Sequence, residues 1–335
     1  MANKVALLFS FIIVTGVTGA VVGQPGAASL TLPSIRGTWV STYSCSSSPA
    51  AMAACVRSLH ALGCNHIYVD AWHNGAAYFQ SPTMQRLLGS SGQAEDLLGW
   101  AVKAVQDQGL QSSMSVVAWM EYGLVAAPAG TNTPFAMKAR ALGWTLGEAN
   151  GFEWLDAGNT QVRNFLCALL GDVRRNYPTI AAVQLDDHFA MPTALPGASV
   201  QVMTAAAEAV SANVSSSPGP PVTLAPATLE FARTQLNVDW AAWLRQNLFP
   251  VFTPQIYRLT SAEFASELDY TNATLGGLSR VVAGVRATGN PETTWQQLLP
   301  MLKLCEAYGV GQVVWDVRAP LTVYPAQFRE VWGRQ

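Results

Sequence analysis

Eight times along this chain a short β-prone run gives way to a stretch of helical character, and few architectures accommodate that alternation. Arg36–Ser41 (RGTWVS) is β-prone, and after a Ser/Pro-rich turn the apolar positions of Ala51–Leu62 fall at helical spacing. Cys64–Trp72 (CNHIYVDAW) reads as a second strand, followed by a helix over Ala94–Gln108 that Gly109 stops. Gln111–Trp119 is a third strand and Ala181–Phe189 a fourth, the latter preceded by a long helix over Thr160–Asn176 that ends before Pro178. Shorter strands are predicted at Val222–Pro226, Val251–Tyr257, Leu278–Arg286 and Gln312–Val317. Strand-then-helix units in this number predict a closed parallel (β/α)8 barrel of the TIM type, α/β in class, rather than an open sheet.

Ahead of the barrel, Lys4 is the one early charge, and an uncharged run from Val5 to Gly23 passes from Leu/Phe/Ile into small residues. That is the plan of an export signal over residues 1–23, with an uncleaved signal anchor as its rival, and it predicts a secreted or cell-envelope protein whose barrel occupies residues 34–335. Contact with a membrane is expected only through an uncleaved N-terminal segment. Five cysteines are an odd number, three of them within Cys45–Cys64, which leaves two readings open: a disulfide among Cys45, Cys55 and Cys64, or buried free thiols.

Charged residues make up only 12% of the chain, against roughly 25% in ordinary domains. With 19 Lys+Arg against 21 Asp+Glu and no basic run, nucleic acid is not an expected partner. The sparse charges collect where a barrel keeps its chemistry, at the C-terminal ends of the strands. Asp70 and Trp72 end the second strand, Glu121 the third, Asp186, Asp187 and His188 the fourth, Gln255, Tyr257 and Arg258 the sixth, Arg286 the seventh, Asp316 and Arg318 the eighth.

Six blocks carry a family resemblance: RGTWVS (Arg36–Ser41), YVDAWHNGAAYFQSP (Tyr68–Pro82), VAWMEYGL (Val117–Leu124), WLDAGNTQVRNFL (Trp154–Leu166), AAVQLDDHFAMP (Ala181–Pro192) and PQIYR (Pro254–Arg258). In this order they resemble the glycosyl hydrolase-like 10 domain of bacterial envelope proteins, over roughly Ser34 to Pro320. The resemblance implies a (β/α)8 fold and hydrolysis of glycosidic bonds in a polysaccharide, with bacterial members linked to peptidoglycan glycan strands. It also implies substrate-orienting roles for Gln255 and Tyr257. Two departures stand out: Tyr177 is followed by Pro178-Thr179-Ile180-Ala181-Ala182, without the acidic residue and Gly usual there, and the segment between Phe189 and Val222 is short and rich in Ala, Ser and Pro.

Glycoside hydrolysis needs two carboxyl groups across the scissile bond, one protonated and one ionised. Period-2 alternation turns Gln184 and Asp186 into the barrel and Val183 and Leu185 toward the helices, which makes Asp186 the expected nucleophile or base, with Asp187 beside it. Glu121, in phase with Val117 and Trp119 and beside aromatic residues, is the expected acid, its pKa raised. Asp70, in phase with Tyr68 and Trp72, is its substitute. Asp70, Trp72, Asn74, Trp119, His188, Gln255, Tyr257, Arg258, Trp315 and Asp316 are the expected substrate contacts, the Trp residues as stacking platforms for sugar rings. The plain structural alternative has the Asp pair capping a helix and pairing with Arg258 or Arg286. Two other functions compete: a barrel that binds glycan without cleaving it, and a metal-dependent deacetylase using Asp186, Asp187 and His188. The four His residues (His60, His66, His73, His188) show no i, i+4 pair, so neither metal nor cofactor is expected.

Overall fold

The computed structural model describes residues 32–92 and 94–333. The expected signal segment, residues 1–23, lies outside the described residues. Eight parallel strands alternate with helices: β1 (Arg36–Val40), β2 (His66–Asp70), β3 (Ser115–Met120), β4 (Ala182–Leu185), β5 (Val222–Leu224), β6 (Gln255–Ile256), β7 (Val282–Arg286) and β8 (Gly311–Trp315). Their order in the sheet is β5-β4-β3-β2-β1-β8-β7-β6. Phe252 bridges in parallel to Leu224 on one side and to Val281 on the other, and the bonds Leu224 N to Val251 O (3.1 Å) and Thr253 N to Leu224 O (2.7 Å) bring β5 and β6 together. The barrel thereby closes.

The helices that follow the eight strands in turn are α1 (Pro49–Ala61), α2 (Leu97–Asp107), α3 (Thr160–Asn176), α4 (Val200–Ser215), α5 (Trp240–Arg245), α6 (Ser261–Leu275), α7 (Trp295–Ala307) and α8 (Pro325–Trp332). Their starts follow from local chemistry: side chains of Ser48, Asp96 and Asn159 accept backbone N–H groups of the first turns of α1, α2 and α3, and Pro49 takes the first position of α1, where its missing N–H costs nothing. No described helix is long and apolar enough to cross a membrane.

Strand alternation sorts the core into two layers. Trp39, Tyr68, Val117, Trp119, Ala182, Val282 and Val313 fill the barrel interior, while Ile67, Val69, Ala118, Val183 and Leu185 pack outward under the helices. Cys45 is bonded to Cys55, tying the loop after β1 to α1, whereas Cys64 and Cys305 are buried free thiols. Both readings of the cysteines therefore hold, for different residues.

Three expectations shift. The third strand starts at Ser115 rather than Gln111, because Leu110 to Met114 forms a turn, Met114 N donating to Leu110 O at 2.8 Å. The sixth strand shrinks to two residues plus the bridge at Phe252, since Pro250 and Pro254 offer no N–H to a ladder. Between β3 and α3 the periodicity gives no sign of an antiparallel sheet of Val125–Pro128, Phe152–Leu155 and Thr145–Ala149, with a helix at Pro134–Ala141.

His66 on β2 is 7% exposed, and burial holds its imidazole neutral down to about 4. The unfolded chain takes up this proton below about 6.5, so native stability falls as pH drops from 6.5 through 4 and is untouched above that interval. Thermal and urea unfolding at pH 7 and pH 4.5 should show the His66→Gln variant losing less stability on acidification than the parent, by up to about 3 kcal/mol.

Candidate active site

At the C-terminal end of β2 the carboxyl of Asp70 is wholly buried. The chain leaves the barrel at Ala71, whose N–H bonds Trp119 O at 2.7 Å, and enters a tight hairpin in which Trp72–His73 pairs with Ala76–Ala77. Asn74 and Gly75 make the turn, with φ of 51° and 73°. Gly75 is required twice over, because a Cβ there would also lie 2.5 Å from the Cβ of Phe135. The hairpin sends Trp72 outward and His73 inward. Trp72 is accordingly not a sugar platform: it is fully buried against Phe135 (ring centroids 5.1 Å) and Phe165 (6.0 Å). The alternation that predicted it inward ends at Ala71. Asn74 serves the turn, and its buried Oδ1 has no hydrogen-bond partner.

His73 is the residue that sequence reasoning passed over. Its Nδ1 lies 2.6 Å from Glu121 Oε2 and 3.1 Å from Asp70 Oδ2, and its Nε2 lies 3.2 Å from the Tyr43 hydroxyl. Burial opposes a charge on this ring, but hydrogen bonds to Asp70 and Glu121 outweigh it and push the pKa up to about 10. Glu121 responds in the opposite sense to expectation. Burial favours its neutral form, yet the hydrogen bond from His73 prevails and holds the carboxyl below its ordinary value. Burial drives Asp70 well above the usual carboxylate range.

Across the mouth, β4 delivers Asp186, 5% exposed, to a point where Gln255 Nε2 donates to its Oδ1 and also to Ala225 O at 3.1 Å. Burial first, then Asp187 and Glu121, raise Asp186 well above the carboxylate range. Asp187 is raised as well, by burial, with His188 opposing and Glu121 adding. His188 Nδ1 donates to Glu121 O at 3.0 Å while its ring stacks on Tyr122 (5.8 Å) and meets Phe152 edge-on (4.9 Å). Gly123, at φ 46°, permits this approach: a Cβ there would stand 2.6 Å from Phe189 N. Tyr257 faces the whole group, its phenol pushed up by burial and then by Asp186, Asp187, Glu121 and Asp316.

The aromatic floor is a cluster in which Trp39, Trp119 and Trp315 have centroids 5.6–6.4 Å apart. Trp39 and Trp119 are each 1% exposed and form floor rather than platform, whereas Trp315 is half-buried. The Trp315–Asp316 peptide is cis. Asp316 accepts from Arg318 N at 2.9 Å at the rim. Arg258 does not reach the site, because it pairs with Glu267 of α6. Arg286 bonds Pro291 O at 2.6 Å, so neither arginine pairs with Asp186 or Asp187 among the described residues.

Two groups, Asp70–His73–Glu121 and Asp186–Asp187–His188, bring potential metal-ligand atoms within 4.8 Å of one another. In the first group His73 Nδ1 faces carboxylate oxygens at hydrogen-bond distance, and in the second His188 Nδ1 faces the Glu121 carbonyl. Either nitrogen would have to give up that proton to bind a cation.

Barrel and mouth together define a (β/α)8 protein whose strand ends carry a buried carboxyl constellation. The chain belongs to the glycosyl hydrolase-like 10 family, whose profile matches residues 34–218. The block Pro254–Arg258 lies beyond that match. The structure is similar to an endo-1,4-β-mannanase from Rhizomucor miehei (10% identity, 90% of this chain and 95% of that one, TM-score 0.60). It is also similar to the catalytic domain of a β-amylase from Paenibacillus polymyxa (9% identity, 88% and 95%, TM-score 0.58). At such identities the likeness establishes the fold. No curated protein matches the sequence.

The hairpin carrying His73 can be tested directly. Gly75→Ala should cost at least about 2 kcal/mol in urea unfolding, combining the backbone strain with the clash on Phe135. Gly109→Ala, at φ 67° with open space around its Cβ, should cost about 1 kcal/mol.

Proposed function

We propose that this barrel hydrolyses glycosidic bonds in a polysaccharide, and that the glycan strands of peptidoglycan are the first substrate class to try. One observation carries the reading: Glu121 and Asp186, on the ends of the neighbouring strands β3 and β4, are biased to opposite protonation states, Glu121 downward by His73 and Asp186 upward by burial. A pair of carboxyls split in this way is what acid-assisted glycoside cleavage needs. The family membership and the glycosidase folds it resembles support the same class.

The split reverses the roles read from sequence. Asp186, pushed toward its neutral form by burial, gives its proton to the glycosidic oxygen as the bond to the anomeric carbon breaks. Glu121, ionised, either attacks that carbon or takes a proton from the water that does. Gln255 fixes Asp186 through its amide, and Tyr257 presents a neutral hydroxyl to substrate. Trp315 offers an apolar face at the rim.

Purified protein incubated with a polysaccharide panel, including peptidoglycan strands with and without peptide stems, should generate new reducing ends. Asp186→Asn and Glu121→Gln should each lower kcat by ~10²–10⁴-fold. An aryl glycoside whose leaving group needs no proton separates the roles: it should restore turnover to the Asp186 variant and leave the Glu121 variant slow. Binding without new reducing ends would make the barrel a glycan-recognition module, and acetate release without them a deacetylase.

A further inference from the structure

His73 takes no part in bond cleavage as drawn above, yet both its ring nitrogens are engaged. The ring is 5% exposed. Nδ1 lies between two carboxyl groups, 2.6 Å from Glu121 Oε2 and 3.1 Å from Asp70 Oδ2, and Nε2 lies 3.2 Å from the hydroxyl of Tyr43. An ionised carboxylate only accepts, so Nδ1 must carry a proton. The hydroxyl of Tyr43 can accept as readily as donate, which leaves Nε2 free to carry one too. No Lys or Arg pairs with Asp70 or Glu121 among the described residues, and the imidazole of His73 is within hydrogen-bond distance of both carboxyls.

The geometry points to His73 as a positioning residue for the proposed hydrolysis: a doubly protonated imidazole, clamped at Nδ1 by Asp70 and Glu121 and at Nε2 by Tyr43, which holds the Glu121 carboxylate in one orientation and in its ionised form. This rests on the assignment of Glu121 as the ionised partner. The groups facing His73 are Asp70 from the end of β2, Glu121 and Tyr122 from the turn after β3, and Tyr43 from the loop after β1. His188 after β4 also bears on Glu121, and Glu121 in turn bears on Tyr122, on Asp186 and Asp187 after β4 and on Tyr257 after β6. Asp70 is fully buried and burial favours its protonated form, so it opposes only weakly the positive charge that His73 presents to Glu121. The disulfide Cys45–Cys55 tethers the loop that brings Tyr43 to Nε2.

The test uses the full chain labelled with ¹⁵N-histidine and ¹³C-glutamate, with His73→Gln and Glu121→Gln assigning the two signals. Both ring nitrogens of His73 should remain protonated at pH 8, and the Glu121 carboxyl should titrate at least one pH unit higher in His73→Gln than in the parent. In turnover, the acid limb of kcat/KM should move up by the same amount in His73→Gln and in His73→Asn, with a smaller shift in Tyr43→Phe. A purely structural role would lower the rate at every pH and leave the limb where it was. A neutral His73 at pH 8, an unmoved Glu121 midpoint, or a stoichiometric divalent ion whose binding is lost in Asp70→Asn would each overturn the proposal. The NMR readouts need no substrate, so a shifted Glu121 midpoint in a protein that cleaves no glycan would sink the glycosidase reading while leaving the His73 clamp intact.

Discussion

The barrel closes across its shortest strands, and that closure decides where every mouth residue points. β5 has three residues and β6 two, and the backbone joins them through the bridges around Phe252. Inside, a polar strut supplements the ladder: the Trp39 indole N–H donates to Gln184 Oε1 at 3.0 Å, and Gln184 Nε2 donates to Thr253 Oγ1 at 3.2 Å. β1, β4 and the entrance to β6 are thus linked across the interior in a medium where an unmade hydrogen bond costs about 1–3 kcal/mol. Gln184 precedes Asp186 by two residues on the same face of β4, and Thr253 precedes Gln255 by two. The strut that closes the barrel therefore sets the register in which Gln255 meets Asp186.

Most of the fold was legible because period-2 and period-3.6 patterns survive wherever an element is regular. The helix read over Thr160–Asn176, ending before Pro178, appears with those bounds, and the structure adds Asn159 as its cap. The inward and outward faces of β4 are those the alternation assigns. Legibility fails where proline removes a donor, as around β6. It fails again in the antiparallel sheet beyond β3, where Thr145–Ala149 contains Gly147 and is buried on neither face. Such a segment has no hydrophobic period to display.

The site was partly legible for a related reason. Asp70, Glu121, Asp186, Gln255 and Tyr257 sit at strand ends and inherit the strand's phase, so alternation finds them. His73 and Trp72 lie past Ala71, in a hairpin whose Asn74-Gly75 turn exchanges the roles that simple continuation assigns. An Asn-Gly pair between short β-prone runs is a hairpin signal available in the sequence, and applying it at Asn74 would have turned His73 inward. Arg258 shows the converse limit: its place beside Tyr257 suggested the mouth, while its partner Glu267, nine positions later on α6, was beyond the reach of any local pattern.

The mouth keeps its two carboxyls apart by setting a different dominant influence on each. Glu121 is close enough to Asp186 to act on its ionisation. At 2.6 Å the N–H of His73 dominates Glu121, whereas Asp186 is governed first by its own burial and then by Asp187 and Glu121. The influence of His73 therefore falls on one of the two groups that the proposed chemistry has to distinguish, and an ionised Glu121 in turn favours a proton on Asp186.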